Sequence, residues 1–419
     1  MSKYKLNKLK IVNDPIYGFI TIPSELLFDI IQHPFFQRLR RIKQLGLTSY
    51  VYPGATHSRF QHVLGATFLM KQALDVLKSK GVTITDDEEE ATLIAILLHD
   101  IGHPPLSHSL EYVFVENVSH EDLSLLFMGE LNKKFDGKLS LGMEIFKGTY
   151  KKKFLHQLVS SQLDMDRLDY LRRDSFFTGV SEGVVGSDRI IKMLDAKNNE
   201  LVVEEKGIYS VEKFLIARRL MYWQVYLHKT VVTAEQMLIK VLLRAKNLYA
   251  EGEKMFLTPS LQYFFDNKID SKKKLLDRVE GQIPLEVYSQ LDDNDIFVSI
   301  KQWQQHDDFI LSFLSKSIIN RNLLKIEIQK KPFTKKKLDN IRNLAVEKFN
   351  IKKDDVEFIV FANSVKNSAY SEKKNAKINI LGKNGILRDI AVASDVSNVA
   401  VLSQIVEKFF VCYPKGLAS

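Results

Sequence analysis

Cysteine is almost missing from this chain: Cys412 is the single one in 419 residues. An intrachain disulfide is thereby excluded, and redox chemistry through paired thiols with it. No apolar run approaches the roughly 18 residues that cross a bilayer. The first ten residues, MSKYKLNKLK, lack the apolar centre of a secretory signal. A cytoplasmic location without membrane insertion is the expectation. Neither an internal repeat nor a low-complexity tract is visible.

What is present is ordinary for a globular protein, with 45% hydrophobic and 26% charged residues. The length suggests two or three domains. The net charge of +9 favours anionic ligands without choosing among nucleotide, polyphosphate and nucleic acid. Histidine usage is uneven: His33, His57, His62, His99, His103, His108 and His120 crowd the first third of the chain. That distribution points to a site.

The stretch Ala91 to His108, ATLIAILLHDIGHPPLSH, carries the strongest signal. Thr85 and Glu88 form a capping-box pair, so a helix starts near Asp86, with Ala91, Ile94, Ala95, Leu98 and Ile101 as its buried stripe. Gly102, Pro104 and Pro105 end it just beyond His99-Asp100. An imidazole and a carboxylate at the end of an apolar helix are costly to bury unpaired, and a bound cation offsets that cost.

Other segments add polar groups. Arg59 and His62 share one face of the helix that follows Ser58. Asp166, Tyr170 and Asp174 recur every four residues on another, although a charge-rich helix is most often a solvated surface. Arg218, Tyr222 and Tyr226, continued by Lys229, lie on one face of a long helix expected from Val211 to about Leu248. Residues 35–46 are expected to be helical as far as Gly46. Short hairpins are expected near residues 10–22 and 201–209. Lysines around Pro332 mark a boundary between a main helical region, 1–330, and a small α+β domain, 331–419. For the latter the pattern predicts a helix at 335–349, strands at 356–362, 376–381 and 387–392, and a helix at 397–409.

The ordered set His62, His99-Asp100, Asp166 resembles that of the HD-domain metal-dependent phosphohydrolases. Its contexts YVYPGATHSRFQHVLG, LLHDIGHPPLSH and DMDRLDYLRRDS resemble the deoxynucleoside triphosphate triphosphohydrolase branch. The resemblance covers roughly residues 8 to 330. It implies a mainly α HD fold with short β-hairpins. It also implies one divalent metal on His62, His99, Asp100 and Asp166, with Mn, Fe, Mg, Zn and Ni undistinguished, and leaves room for a second Mg on the triphosphate.

By the same resemblance His103, Glu111 and His120 assist catalysis, with Glu121 beside His120 and His108 facing the leaving 5′-oxygen. Arg59, Arg167, Tyr170, Asp174, Arg218 and Tyr226 match substrate-contacting positions, and Gln44 and Leu45 match a pair that meets the sugar. Gln37, Arg40 and the run from Arg321 match a regulatory nucleotide site, but Gln32 replaces an acid that reads guanine, so GTP specificity is not expected. The implied reaction converts a dNTP to deoxynucleoside and tripolyphosphate in a homo-oligomer, dimer or tetramer, with an activating nucleotide as a further expectation. Two alternatives stand beside it: an HD phosphodiesterase or nucleotidase acting on another nucleotide, and a nucleic-acid-binding protein with a secondary HD site.

Overall fold

The computed structural model describes residues 10–371, 377–394 and 402–417. Three helices position His62, the His99-Asp100 pair and Asp166. Arg59–Ser79 begins in a capping box in which the Ser58 amide donates to Gln61 Oε1 at 2.9 Å. Asp86–Leu98 begins in the Thr85–Glu88 box, with reciprocal bonds of 2.9 and 3.2 Å. Met165–Thr178 is capped by Asp164, which accepts the Arg167 amide at 2.7 Å.

The middle helix is more deeply buried than a stripe: Leu93, Ile96 and Leu97 are buried along with the expected face. A helix that is apolar all round is a core helix. It packs between the first helix and the short helix Ser140–Lys147. The first and third helices approach so closely that a Cβ on Gly65 would stand 2.1 Å from Asp169 Oδ1. Only glycine fits there.

Two expected helices are broken. Residues 34–46 form a single helical turn, Pro34–Gln37, and a 3₁₀ turn, Arg38–Arg41. Arg38 is drawn fully into the core, where it donates to the carbonyls of Leu291 and His103, each at 2.8 Å, above the Tyr288 ring. The long helix from Val211 is divided into Ile208–Met221, a π-helical turn Tyr222–Tyr226, and Lys229–Ala250, capped by His228. A π turn shifts the register of everything beyond it.

Nine short strands among the described residues complete the fold. β1 (Ile11–Asp14) and β2 (Gly18–Thr21) form the first hairpin. β3 (Leu194–Lys197), β4 (Glu200–Glu204), β7 (Asn379–Leu381) and β8 (Leu387–Asp389) make a sheet in the order β3-β4-β7-β8, with β4 and β7 parallel. β5 (Lys325–Gln329), β6 (Phe361–Asn367) and β9 (Val406–Tyr413) make another, with β9 central. Both sheets join strands from either side of residue 330.

The expected helix at 397–409 is corrected over its C-terminal part. Residues 406–409 belong to β9, whose FFVCY run is buried at Phe410–Tyr413 between two strands, as suits a central strand. Residues 397–401 lie outside the described residues. The expected helix 335–349 is present. The strand expected at 356–362 starts at Phe361, after a 3₁₀ turn, and the one at 387–392 gives way to helix at Ile390. Among the described residues no helix is long and apolar enough to cross a membrane.

Candidate active site

His62 and His99 present their Nε2 atoms to each other at 3.3 Å. Each ring is held from behind. His62 Nδ1 donates to Asp169 Oδ2 at 2.8 Å, and His99 Nδ1 donates to the Ile96 carbonyl at 2.6 Å. Both Nε2 lone pairs are thereby aimed at one point. Asp166 Oδ1 is 3.0 Å from His62 Nε2 and 3.5 Å from His99 Nε2, while Asp100 lies 3.7 and 3.3 Å from the same two atoms.

Asp169 is itself clamped by Arg173, at 2.9 and 3.0 Å, and Arg173 reaches Asp14 at 2.8 Å. This chain of buried charges runs from the first hairpin to the imidazole, and Gly65 leaves the space for it.

The electrostatics call for positive charge at the convergence point. Burial opposes charge on His62, but bonds from Asp166 and Asp169 outweigh it and push the imidazole up to about 10. His99 is also raised, against burial, by Asp100 and Asp166. Asp100 is buried and Asp166 half-buried, yet both are held below the usual carboxylate range, Asp100 chiefly by Arg59 and Asp166 by the two imidazoles. Two imidazoliums nose to nose repel each other. One cation on the two nitrogens and two carboxylates satisfies all four, so the donor set fits a divalent metal.

A second histidine group, His103, His108 and His120, borders the first; one nitrogen of each lies within 4.8 Å of the others. His103 is buried. Burial and the Arg59 guanidinium drive it well below the ordinary imidazole range, so it is neutral. His120 Nδ1 bonds Glu111 Oε1 at 2.7 Å, and Glu111 also takes the His120 amide at 3.2 Å. Burial disfavours the Glu111 charge, but bonds from His108 and His120 hold its carboxyl below the usual range. Glu121 is exposed on the pocket wall. The residue that orients His120 is Glu111.

Both groups open on one cavity of about 850 Å³. Of the residues singled out in the sequence, its wall includes Gln44, Leu45, Arg59, His99, Asp100, His103, His108, His120, Glu121, Asp166, Arg167, Tyr170, Asp174 and Tyr226. His62 lies beneath the wall, Glu111 stands behind His120, and Arg218 sits 6.0 Å from the Tyr222 ring. Gln37 and Arg40 are elsewhere. Arg40 Nε donates to Gln37 Oε1 at 2.8 Å and its guanidinium covers Phe60. The π turn brings Tyr226 OH to Asp174 Oδ2 at 2.8 Å, and His57 Nε2 donates to Asp174 Oδ1 at 2.7 Å.

A family model described as HD domain matches residues 59–174, and one described as HD associated region matches residues 185–257. The uncharacterized protein YwfO of Bacillus subtilis is 38% identical over 327 residues, covering 76% of this chain and 72% of that protein. The crystal structure of a phosphohydrolase from Bacteroides thetaiotaomicron is similar at TM-score 0.92 and 51% identity, over 97% of this chain and 100% of that one. The chain belongs to the HD-domain phosphohydrolase family. The deoxynucleoside triphosphate triphosphohydrolase SAMHD1 homolog of Dictyostelium discoideum is 31% identical over 55% of this chain and 48% of that protein. This chain therefore matches about half of that longer relative.

Within this HD-domain chain several site residues escape a reading of motifs. Asp169 and Arg173 sit in the expected charge-rich helix, yet both are buried and serve His62. Ser107 accepts Arg59 Nε at 2.9 Å, and Arg59 also pairs with Asp100. Asp164 pairs with Arg167. Glu235 lines the cavity with no cation among the influences on it, and burial pushes its carboxyl up to about 7 against a bond from Ser109. The uneven distribution of histidine was the one available signal for His57.

Proposed function

We propose that the chain hydrolyses deoxynucleoside triphosphates to deoxynucleoside and tripolyphosphate with the help of a divalent cation. One observation carries this reading. Arg167 Nε on the pocket wall, and Arg218 Nε and Nη1 against the wall residue Tyr222, are buried with no hydrogen-bond partner among the described residues. Unpartnered guanidinium donors next to a cation site fit a polyanion that bridges them. The named activity of the Dictyostelium relative supports the same choice.

When bound to His62, His99, Asp100 and Asp166, a divalent cation supplies Lewis-acid polarisation of the α-phosphoryl group and acidifies water. Arg59, Arg167 and Arg218 offset the charge of the triphosphate. Water adds to the α-phosphorus and the bond from phosphorus to the 5′-oxygen breaks. His120, oriented by Glu111, and neutral His103 accept and relay the proton of water. His108, with its side chain 67% exposed, supplies a proton to the departing 5′-oxygen. Tyr226, fixed by Asp174, packs with Gln44 and Leu45 around the sugar.

The test is a panel of dNTPs, NTPs and cyclic nucleotides, alone and in pairs, with Mn or Mg and chromatographic separation of products. Deoxynucleoside plus tripolyphosphate from at least one dNTP supports the reading. Its absence in every pairing ends it. The paired arms also test nucleotide activation through the Gln37–Arg40 surface, which we propose together with a homo-oligomeric state.

A second reading, a two-cation phosphodiesterase, is favoured by the proximity of His103, His108 and His120. Two metal ions per chain, with cleavage of cyclic nucleotides, would select it.

A further inference from the structure

The helix Asp293–Trp303 lies outside both matched regions, yet its first residue reaches the pocket wall. Asp293 is 5% exposed. Its Oδ1 accepts the Leu106 amide at 2.6 Å and its Oδ2 accepts the Lys43 amide at 2.9 Å. Lys43 precedes the pocket residues Gln44, Leu45 and Gly46; Leu106 and Ser107 follow the HD turn and line the same pocket. One carboxylate therefore ties together two segments 63 residues apart in sequence (106 − 43).

The tie holds a conformation that would not persist by itself. Leu106 and Ser107 both have positive φ, 55° and 60°, which side chains other than glycine rarely adopt. In that form the Leu106 carbonyl lies only 2.9 Å from where a Cβ on Gly46 would stand. Ser107 Oγ then donates to the Lys43 carbonyl at 2.7 Å and accepts Arg59 Nε at 2.9 Å. The same corner of chain takes Arg38 at the Leu291 carbonyl, at 2.8 Å, and Arg41 at Asp292, while Arg38 also holds the His103 carbonyl at 2.8 Å.

We infer that Asp293 is a positioning residue: by accepting the Lys43 and Leu106 amides it sets the His103–His108 turn against the Gln44–Gly46 wall in the geometry that hydrolysis needs. Burial pushes its carboxyl up to about 6, against the two amide bonds. The kinetic consequence rests on the reaction proposed above.

The test uses the full chain as Asp293→Asn and Asp293→Ala. The amide side chain of asparagine offers one acceptor where aspartate offers two, so one backbone N–H loses its partner. Amide hydrogen exchange is expected to rise by about tenfold or more at both Lys43 and Leu106 in Asp293→Ala, and at one of the two in Asp293→Asn, while exchange in the helix Arg59–Ser79 is unchanged. kcat for dNTP hydrolysis is expected to fall about 10- to 100-fold, with KM within about threefold, as misplacement of catalytic groups produces. Unchanged exchange at both amides overturns the inference whatever the reaction is. So does local loosening with undiminished kcat. A wild type that cleaves no nucleotide ends the proposed reaction, and the exchange measurement still decides whether Asp293 holds the two segments.

Discussion

The two histidine groups of the pocket use the same side chain and differ in what stands behind it. His62 and His99 are backed by fixed acceptors, Asp169 and the Ile96 carbonyl, with Arg173 and Asp14 behind Asp169. His120 is backed by one carboxylate, Glu111, which is also 3.6 Å from the largely exposed His108. The first arrangement locks ring orientation and tautomer, as holding a cation requires. The second leaves His108 and His120 more open to solvent beside a charged acceptor, with His103 buried next to them, as proton exchange requires. Chemistry follows from the support as much as from the imidazole.

His99→Ala breaks the comparison most severely. It should abolish both metal retention and hydrolysis, measured by metal content after dialysis and by product release. Glu111→Gln should lower kcat by about 10²- to 10⁴-fold, the span of general acid–base catalysis, with metal content unchanged. A loss of metal in that variant would mean the two groups are one site. Asp169→Ala should weaken metal affinity by about 10- to 100-fold, read by competition with a chelator, and leave Glu111-dependent catalysis intact once metal is saturating.

Glu235 sharpens the contrast as a carboxyl on the same wall with neither kind of support. Its pKa is raised to about 7 in the folded state, so the folded protein holds this proton more tightly than the unfolded chain does. That contribution to stability is complete below the unfolded pKa and is lost as pH rises toward about 7. Glu235→Gln should therefore gain on the wild type between about pH 4.5 and 7, by roughly 3 kcal/mol at most. Denaturant unfolding at a series of pH values measures it. A constant difference across that range would contradict the assignment.

The parts of this arrangement visible in the sequence are those built by neighbours in sequence. The Thr85–Glu88 cap, the apolar run into His99-Asp100 and the proline stop are local signals, and each forms the expected structure. The four-residue spacing of Asp166, Tyr170 and Asp174 put all three on the pocket side. What escaped is long-range. Nothing local to Arg38, in the segment expected to be helical, signals its burial, because its partners, the carbonyls of His103 and Leu291, come from distant segments. Asp169 and Arg173 read as solvated charge because Gly65 and Asp14 must arrive before they are buried. The start of β9 reads as the end of a helix at 397–409, since the two strands that flank it are formed about 40 residues or more earlier.

In the proposed reaction water attacks the α-phosphorus and the sugar oxygen departs. Hydrolysis of a dNTP in ¹⁸O-water, followed by mass spectrometry of both products, tests it directly. The expected result is one ¹⁸O in the tripolyphosphate and none in the deoxynucleoside. Label in the deoxynucleoside, or release of pyrophosphate and a nucleoside monophosphate instead, would contradict it.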